Sequence, residues 1–201
     1  MKTKIFLQFL AKVGIVALLS LALIAALSFF PTSCGNNIDV DTLKEGDIVF
    51  IESQSSQAPY IKIGTMSRWT HCGIVVNTPD GMKVLEASKT VRLTPFSEFI
   101  GWAKNENWCV RRPKQTVSHP VQYEQYLGLP YDLEFRFDNG KMYCSELVWQ
   151  IYKDQGIELC KPRKVSSFLM TRIPKVRKLM KERNITMRQK AVAPVDIYKA
   201  V

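Results

Sequence analysis

The stretch Lys141-Met142-Tyr143-Cys144-Ser145-Glu146-Leu147-Val148-Trp149-Gln150-Ile151-Tyr152 decides how the chain is read. Leu147, Val148, Ile151 and Tyr152 fall at i, i+1, i+4 and i+5, one apolar stripe at the helical period. Asp138-Asn139-Gly140 supplies a turn just before it, and Gly156 a stop. Cys144 therefore lies at or just before the first helical turn. Unpaired backbone N–H groups and the helix dipole favour an anion there, so the thiol pKa falls below its free value of about 8.5. The plainer reading is a small buried hydrophobe at a helix start. This stretch alone divides evenly between the two.

A nucleophilic thiol needs an imidazole to shuttle its proton and a polar group to orient that imidazole. The chain has two histidines. His119, in Ser118-His119-Pro120, has a turn-like, exposed context. His71 stands at the entrance of the apolar strand Cys72-Gly73-Ile74-Val75-Val76. Asn77-Thr78-Pro79-Asp80-Gly81 is turn chemistry, and residues 82–87 return as a second strand. A loop over 78–81 pairs positions whose numbers sum to 159; a loop over 77–80 pairs those summing to 157. In the second register Glu86 lies opposite His71, and in the first it is the diagonal neighbour. Both put the two side chains on one face, because direction alternates along a strand. A satisfied core histidine and a solvated strand glutamate are the plainer readings, and hairpin parity argues against them.

Around this centre, 201 residues allow one domain with one good core. Lys2, Lys4 and Lys12 precede an uncharged apolar run over 13–30. Residues 1–33 thus read as a signal peptide or N-terminal membrane anchor. Residues 34–42 read as a polar tether, and 43–201 as a single domain. Pro31-Thr32-Ser33-Cys34 resembles a bacterial lipoprotein site, with proline where such sites usually carry leucine. Cleavage, retention and lipidation at Cys34 all place the domain outside the cytoplasm, in the periplasm or envelope. Residues 34–160 carry 13 Lys+Arg and 16 Asp+Glu, whereas 161–201 carry 12 and 2. The basic balance thus belongs to a C-terminal arm, which suits an anionic membrane or polymer surface or is simply a solvated helix face. Nucleic acid does not fit an exported chain. The five cysteines show no metal spacing, so neither a zinc site nor another cofactor is expected. A Cys72–Cys109 disulfide is conceivable but has no support from spacing.

Along the chain, residues 48–51 and 108–112 read as strands and 52–59 as a Ser/Gln-rich loop. Residues 96–104, 121–127, 166–172 and 174–183 read as helices, and 130–137 as an irregular piece.

Together Ser67-Arg68-Trp69-Thr70-His71-Cys72-Gly73-Ile74-Val75, Leu85-Glu86-Ala87, Gly128-Leu129-Pro130-Tyr131-Asp132 and Tyr143-Cys144-Ser145-Glu146-Leu147-Val148-Trp149 resemble the permuted papain-like amidases of the YiiX/YaeF type, in the NlpC-type cysteine peptidase superfamily. Asp47-Ile48-Val49-Phe50 and Pro194-Val195-Asp196-Ile197 also fit, so the resemblance spans roughly residues 43–198. Papain-like enzymes run Cys then His; the permuted ones run His, Glu, Cys, as here. The resemblance implies an α+β fold: a circularly permuted papain-like, NlpC-like domain with a small antiparallel sheet or half-barrel packed against the helix carrying the cysteine. It makes Cys144 the nucleophile, His71 the general base and acid, and Glu86 the orienting group. Tyr131, Asp132, Tyr143 and Ser145 are candidate substrate contacts, with a packed aromatic and a turn aspartate the plainer readings of the first two. Non-permuted relatives carry Asp-Cys-Ser-Gly around the nucleophile, and Tyr143 and Glu146 replace the outer two here. That departure sets the cell-wall stem peptide in question as substrate, not amide hydrolysis.

The expected activity is an exported cysteine hydrolase cleaving an amide of a cell-envelope substrate, a cell-wall peptide first, through an acyl-thioester. The oxyanion donor expected is the Cys144 backbone N–H. One rival is a lipid acyltransferase or thioesterase of the lecithin–retinol acyltransferase-like type, whose Asn-Cys-Glu signature is absent here. Another is a non-catalytic envelope binding module on the same fold.

Overall fold

Ile48-Val49-Phe50-Ile51 is apolar at every position, the pattern of a strand covered on both faces, and both faces are covered. In the computed structural model, which describes residues 40–117 and 120–201, β1 (Ile48–Ser53) is flanked by β2 (His71–Thr78) and β5 (Ala103–Arg111). β3 (Gly81–Ala87) and β4 (Val91–Pro95) complete an antiparallel sheet of order β4-β3-β2-β1-β5. Residues 1–33, read in the sequence as a signal peptide or membrane anchor, lie outside the described residues, as do Cys34 and His119. Among the described residues no helix is long and apolar enough to cross a membrane.

One sheet face buries Ile48, Phe50, Cys72, Ile74 and Leu85 against the helix α3 (Cys144–Asp154). The stripe Leu147, Val148, Ile151 and Tyr152 points into that core, and all four side chains are buried. Truncating Leu147 to alanine would cost about 2–5 kcal/mol. The Tyr152 hydroxyl donates to the Gly46 carbonyl at 2.6 Å, tying α3 to the turn that launches β1. Gly156, at φ +76°, follows the helix in the left-handed conformation that stops it. The opposite face buries Val49, Ile51, Val75 and Val84 against Phe99 of α2 (Phe96–Gly101).

The hairpin adopts the 159 register, with Ile74 opposite Leu85 and Val75 opposite Val84. Thr78 and Gly81 still pair, so the loop is two residues long rather than four; the Thr78 hydroxyl donates to the Gly81 carbonyl at 2.6 Å and closes it.

Several local expectations are corrected. The loop expected over 52–59 is the end of β1 followed by a helix, α1 (Ala58–Thr65), with Pro59 in its first turn. The helix expected over 121–127 is one 3-10 turn at Glu124–Tyr126, and that over 166–172 is two such turns. The strand at 108–112 begins earlier, at Ala103. Cys72 is a free thiol, so it makes no disulfide with Cys109. The basic residues 161–201 build two short strands and two helices around those 3-10 turns. β6 (Arg163–Lys164) pairs with β7 (Lys190–Ala191), and α4 (Pro174–Glu182) and α5 (Pro194–Ala200) pack beside them. Val165, Phe168, Val176, Met180 and Ala191 form a separate small core with Tyr60 of α1. The segment is basic on its outside only, where Lys175, Arg177, Lys178 and Lys181 are exposed.

Candidate active site

His71 is the first residue of β2 and Cys144 the first of α3, so their side chains meet where both elements begin. Continuing the hairpin register sets Glu86 opposite Gly73, two residues from His71 on the same face. A Cβ at Gly73 would stand 2.5 Å from Val84 Cγ1 and 2.9 Å from the Leu85 carbonyl. Only glycine lets β3 lie this close. Glu86 reaches diagonally past it, and its Oε2 lies 2.7 Å from His71 Nε2. The other oxygen, Oε1, accepts from Arg92 Nε and from the Thr94 hydroxyl, both at 2.9 Å. Arg92 pairs directly with Glu86 across β3 and β4, and its guanidinium lies 4.9 Å from the Trp102 ring. Phe99 stacks on the imidazole at 5.4 Å.

Glu86 has no solvent exposure. Burial alone would raise its carboxyl, but the hydrogen bond and charge of His71, then Arg92 and Thr94, hold it below the ordinary range. With Nε2 committed to Glu86, Nδ1 is the ring nitrogen left for the thiol. Burial opposes a charged imidazole. The Cys144 thiolate and its hydrogen bond, then Glu86, outweigh that and push His71 up to about 10. The Cys144 thiol is held well below its ordinary value. The hydrogen bond from the Cys72 thiol comes first; the charge and hydrogen bond of His71 and the Cys72 backbone N–H add to it, against burial. Both shifts favour a thiolate beside an imidazolium.

Two cavities flank that pair. One, about 100 Å3, is apolar; Cys144 opens into it beside Tyr143, Phe168, Met180, Ala191 and Val192. The other, about 450 Å3, is a cleft of mixed polarity on the His71 side, with Ser53, Gln54, Thr70 and Ser88 beside Ala87 and Trp102 in its walls. Gln57, Ile61 and Tyr131 line both and form the partition.

Of the remaining residues singled out in the sequence, Tyr131 lies at the partition and its hydroxyl hydrogen-bonds toward Cys144. Tyr143 and Ser145 also line the apolar cavity, but their hydroxyls are engaged with the backbone of Val192: Tyr143 accepts from its N–H at 3.1 Å and Ser145 donates to its carbonyl at 2.8 Å. Asp132 is fully buried and accepts from the backbone N–H groups of Glu134 at 2.8 Å and Arg136 at 2.6 Å, a turn-forming role that leaves it out of both cavity walls. Glu146 accepts from the Tyr143 N–H at 3.3 Å and caps α3; burial pushes its carboxyl up to about 8, with Asp132 and Asp138 adding to the effect.

Sequence reasoning missed Arg92, Thr94, Cys72 and α1. The parity rule that found Glu86 extends one strand further to Arg92. Nothing in the Ser/Gln-rich run ahead of α1 announced the wall it forms.

A family model for permuted papain-like amidase enzymes, YaeF/YiiX, C92 family, matches residues 42–199. YiiX of Escherichia coli strain K12 is 32% identical over 165 residues, which cover 77% of this chain and 81% of that protein. A crystal structure of the metalloprotein YiiX from Escherichia coli O157:H7 is similar to this chain with a TM-score of 0.66 and 31% identity, covering 77% of this chain and 91% of that one.

Proposed function

Because the chain belongs to the permuted papain-like amidase family of the YaeF/YiiX type, we propose that Cys144, His71 and Glu86 act as the catalytic triad of an amide-cleaving cysteine hydrolase. The observation that carries this reading is the buried Glu86 carboxylate fixed at 2.7 Å from His71 Nε2, which holds a charged imidazole beside a depressed thiol.

In this reading the Cys144 thiolate attacks the amide carbonyl. The Cys144 N–H, in the first turn of α3 and without an intrahelical acceptor, faces the oxyanion. His71 gives its proton to the leaving amine, and the acyl-thioester remains on Cys144. His71 then takes a proton from water, which attacks the thioester, and Cys144 leaves as the thiolate. Tyr131 borders the thiol from the partition. Glu86 keeps the ring oriented, and Arg92 and Thr94 keep Glu86 charged. The related YiiX structure is described as a metalloprotein. Among the described residues of this chain no group of three or more His, Cys, Asp or Glu side chains could hold a metal ion, and no step here passes through one.

The substrate proposed is an amide of the cell envelope, with a cell-wall peptide first in line, for a protein exported on its N-terminal segment. The exposed lysines and arginine of α4 would face an anionic membrane or polymer surface. A second reading, a lipid acyltransferase or thioesterase, is favoured by one observation: the cavity into which Cys144 opens is apolar. Turnover of purified cell wall and of acyl-lipids by wild type, Cys144→Ala and His71→Ala tests both. Loss of turnover in both variants is expected, and the substrate consumed separates the readings. Turnover retained in both variants would refute the mechanism.

A further inference from the structure

The mechanism makes no use of one nucleophilic group at the site. Cys72 follows His71 on β2 and, by strand alternation, points to the opposite face, where α3 packs. Its side chain is fully buried and free, and its thiol is hydrogen-bonded to the Cys144 sulfur. The Cys72 backbone N–H also hydrogen-bonds to Cys144. A buried small hydrophobe at this position would need no sulfur; Ile74 and Val76 fill the same face of β2 without one. Two free thiols in contact at a helix start, one of them the nucleophile, form a redox pair.

We propose that Cys72 is a resolving cysteine, which captures a peroxide-oxidised Cys144 as a reversible Cys72–Cys144 disulfide. The proposal rests on Cys144 being the reactive thiol. A hydroperoxide is the oxidant. The Cys144 thiolate attacks one peroxide oxygen, the O–O bond breaks, and Cys144 becomes a sulfenic acid while the departing oxygen takes a proton from the His71 imidazolium and leaves as water or an alcohol. The Cys72 sulfur then attacks the Cys144 sulfur. The S–O bond breaks, the Cys72 proton leaves with the departing hydroxide as water, and the S–S bond forms. A dithiol reductant returns both thiols with two electrons. The same contact explains why the pair is quiet at rest. Burial and the neighbouring Cys144 thiolate hold the Cys72 thiol protonated, and formation of the neutral sulfenic acid removes that charge. Without Cys72, a sulfenic acid at Cys144 stays open to further oxidation to the irreversible sulfinic acid.

The test is mass spectrometry of the purified protein after brief exposure to a few equivalents of hydrogen peroxide, digested with trypsin without reduction. The expected product is one species linking residues 69–83 to residues 142–153, lost on treatment with dithiothreitol. In Cys72→Ser the linked species is absent, and the 142–153 peptide carries two added oxygens that dithiothreitol does not remove. This readout needs no turnover. Failure of the linked species while an electrophile still labels Cys144 would overturn the resolving role alone, whereas failure of labelling as well would overturn the nucleophile. Should Cys72→Ser not fold, the wild-type digest decides by itself: a sulfinic Cys144 in place of the linked species would contradict the proposal.

Discussion

On the Cys144 side of the site the cavity is about 100 Å3, walled by Phe168, Met180, Ala191 and Val192; on the His71 side it is about 450 Å3, with Ser53, Gln54, Thr70 and Ser88 in its walls. The two differ in origin as well as polarity. The larger cleft is built from the sheet, α1 and the loops at the strand ends. The apolar cavity adds the C-terminal segment to α1 and the start of α3. The proposed catalytic pair sits on the sheet and α3, whereas the cavity beside Cys144 also takes in residues of the C-terminal segment. On the proposed mechanism this division would place an apolar acyl part against Cys144 and the leaving group near His71, which would protonate it.

The strongest way to break this comparison is to remove the group that connects its two halves. His71→Ala is expected to lower kcat/KM roughly ten-thousandfold on any substrate, because the thiolate loses its proton partner; a loss confined to one class of leaving group would move His71 out of the reaction. Glu86→Gln keeps the shape but removes the charge that holds the imidazolium, and a loss of about a hundredfold or more is expected. Arg92→Gln acts one step further out. It should cost about tenfold and move the acid limb of the pH profile upward, because Glu86 then takes up a proton at higher pH. An Arg92→Gln profile that scales without shifting would reduce Arg92 to packing.

The pH profile itself sharpens the comparison. Activity rises as Cys144 loses its proton, well below the ordinary thiol range, and falls as His71 loses its own near 10. A profile in which kcat/KM rises only above pH 8 would mean that the thiol is not held as thiolate. Ala191→Phe tests the apolar half alone. It fills the cavity from β7, and a fall of about tenfold is expected on long apolar acyl groups relative to short ones. Equal effects on both would leave that cavity outside substrate binding.

The smallest effect belongs to the cap of α3. The Glu146 carboxyl is raised to about 8 from an ordinary 4.5, so the folded state holds this proton more tightly than the unfolded chain. Its contribution to stability is full below about pH 4.5 and is lost as pH rises through 8. Glu146→Gln should flatten that loss by on the order of 1 kcal/mol in denaturant titrations at pH 5 and pH 8. An unchanged slope would contradict the buried, protonated state of the carboxyl.

Where a single period governs the chain, the sequence was readable. The α3 stripe and the His71/Glu86 parity depend only on spacing, and the structure realises both. Charge was less informative. The basic balance of residues 161–201 described the outside of α4 and gave no sign that Val176 and Met180 build an inner wall. Helix α1 was invisible because its preceding run, Ser53-Gln54-Ser55-Ser56-Gln57, reads as a loop; its packing on the turns at Leu169–Arg172 is what fixes it. Asp132 and the Tyr143 and Ser145 hydroxyls sit near the cysteine in sequence, but backbone groups claim them first. Sequence proximity to a nucleophile could not reveal that competition. Cys72 went unread as chemistry because strand alternation sends it away from Glu86, toward the face where α3 supplies Cys144.

The central claim is that Cys144 carries the acyl group. The most direct measurement is rapid-quench mass spectrometry with an activated acyl substrate, comparing wild type with Cys144→Ala. The account predicts an acyl adduct on residues 142–153 of the wild type, formed faster than turnover and absent from Cys144→Ala. An adduct on another peptide, or turnover surviving in Cys144→Ala, would contradict it.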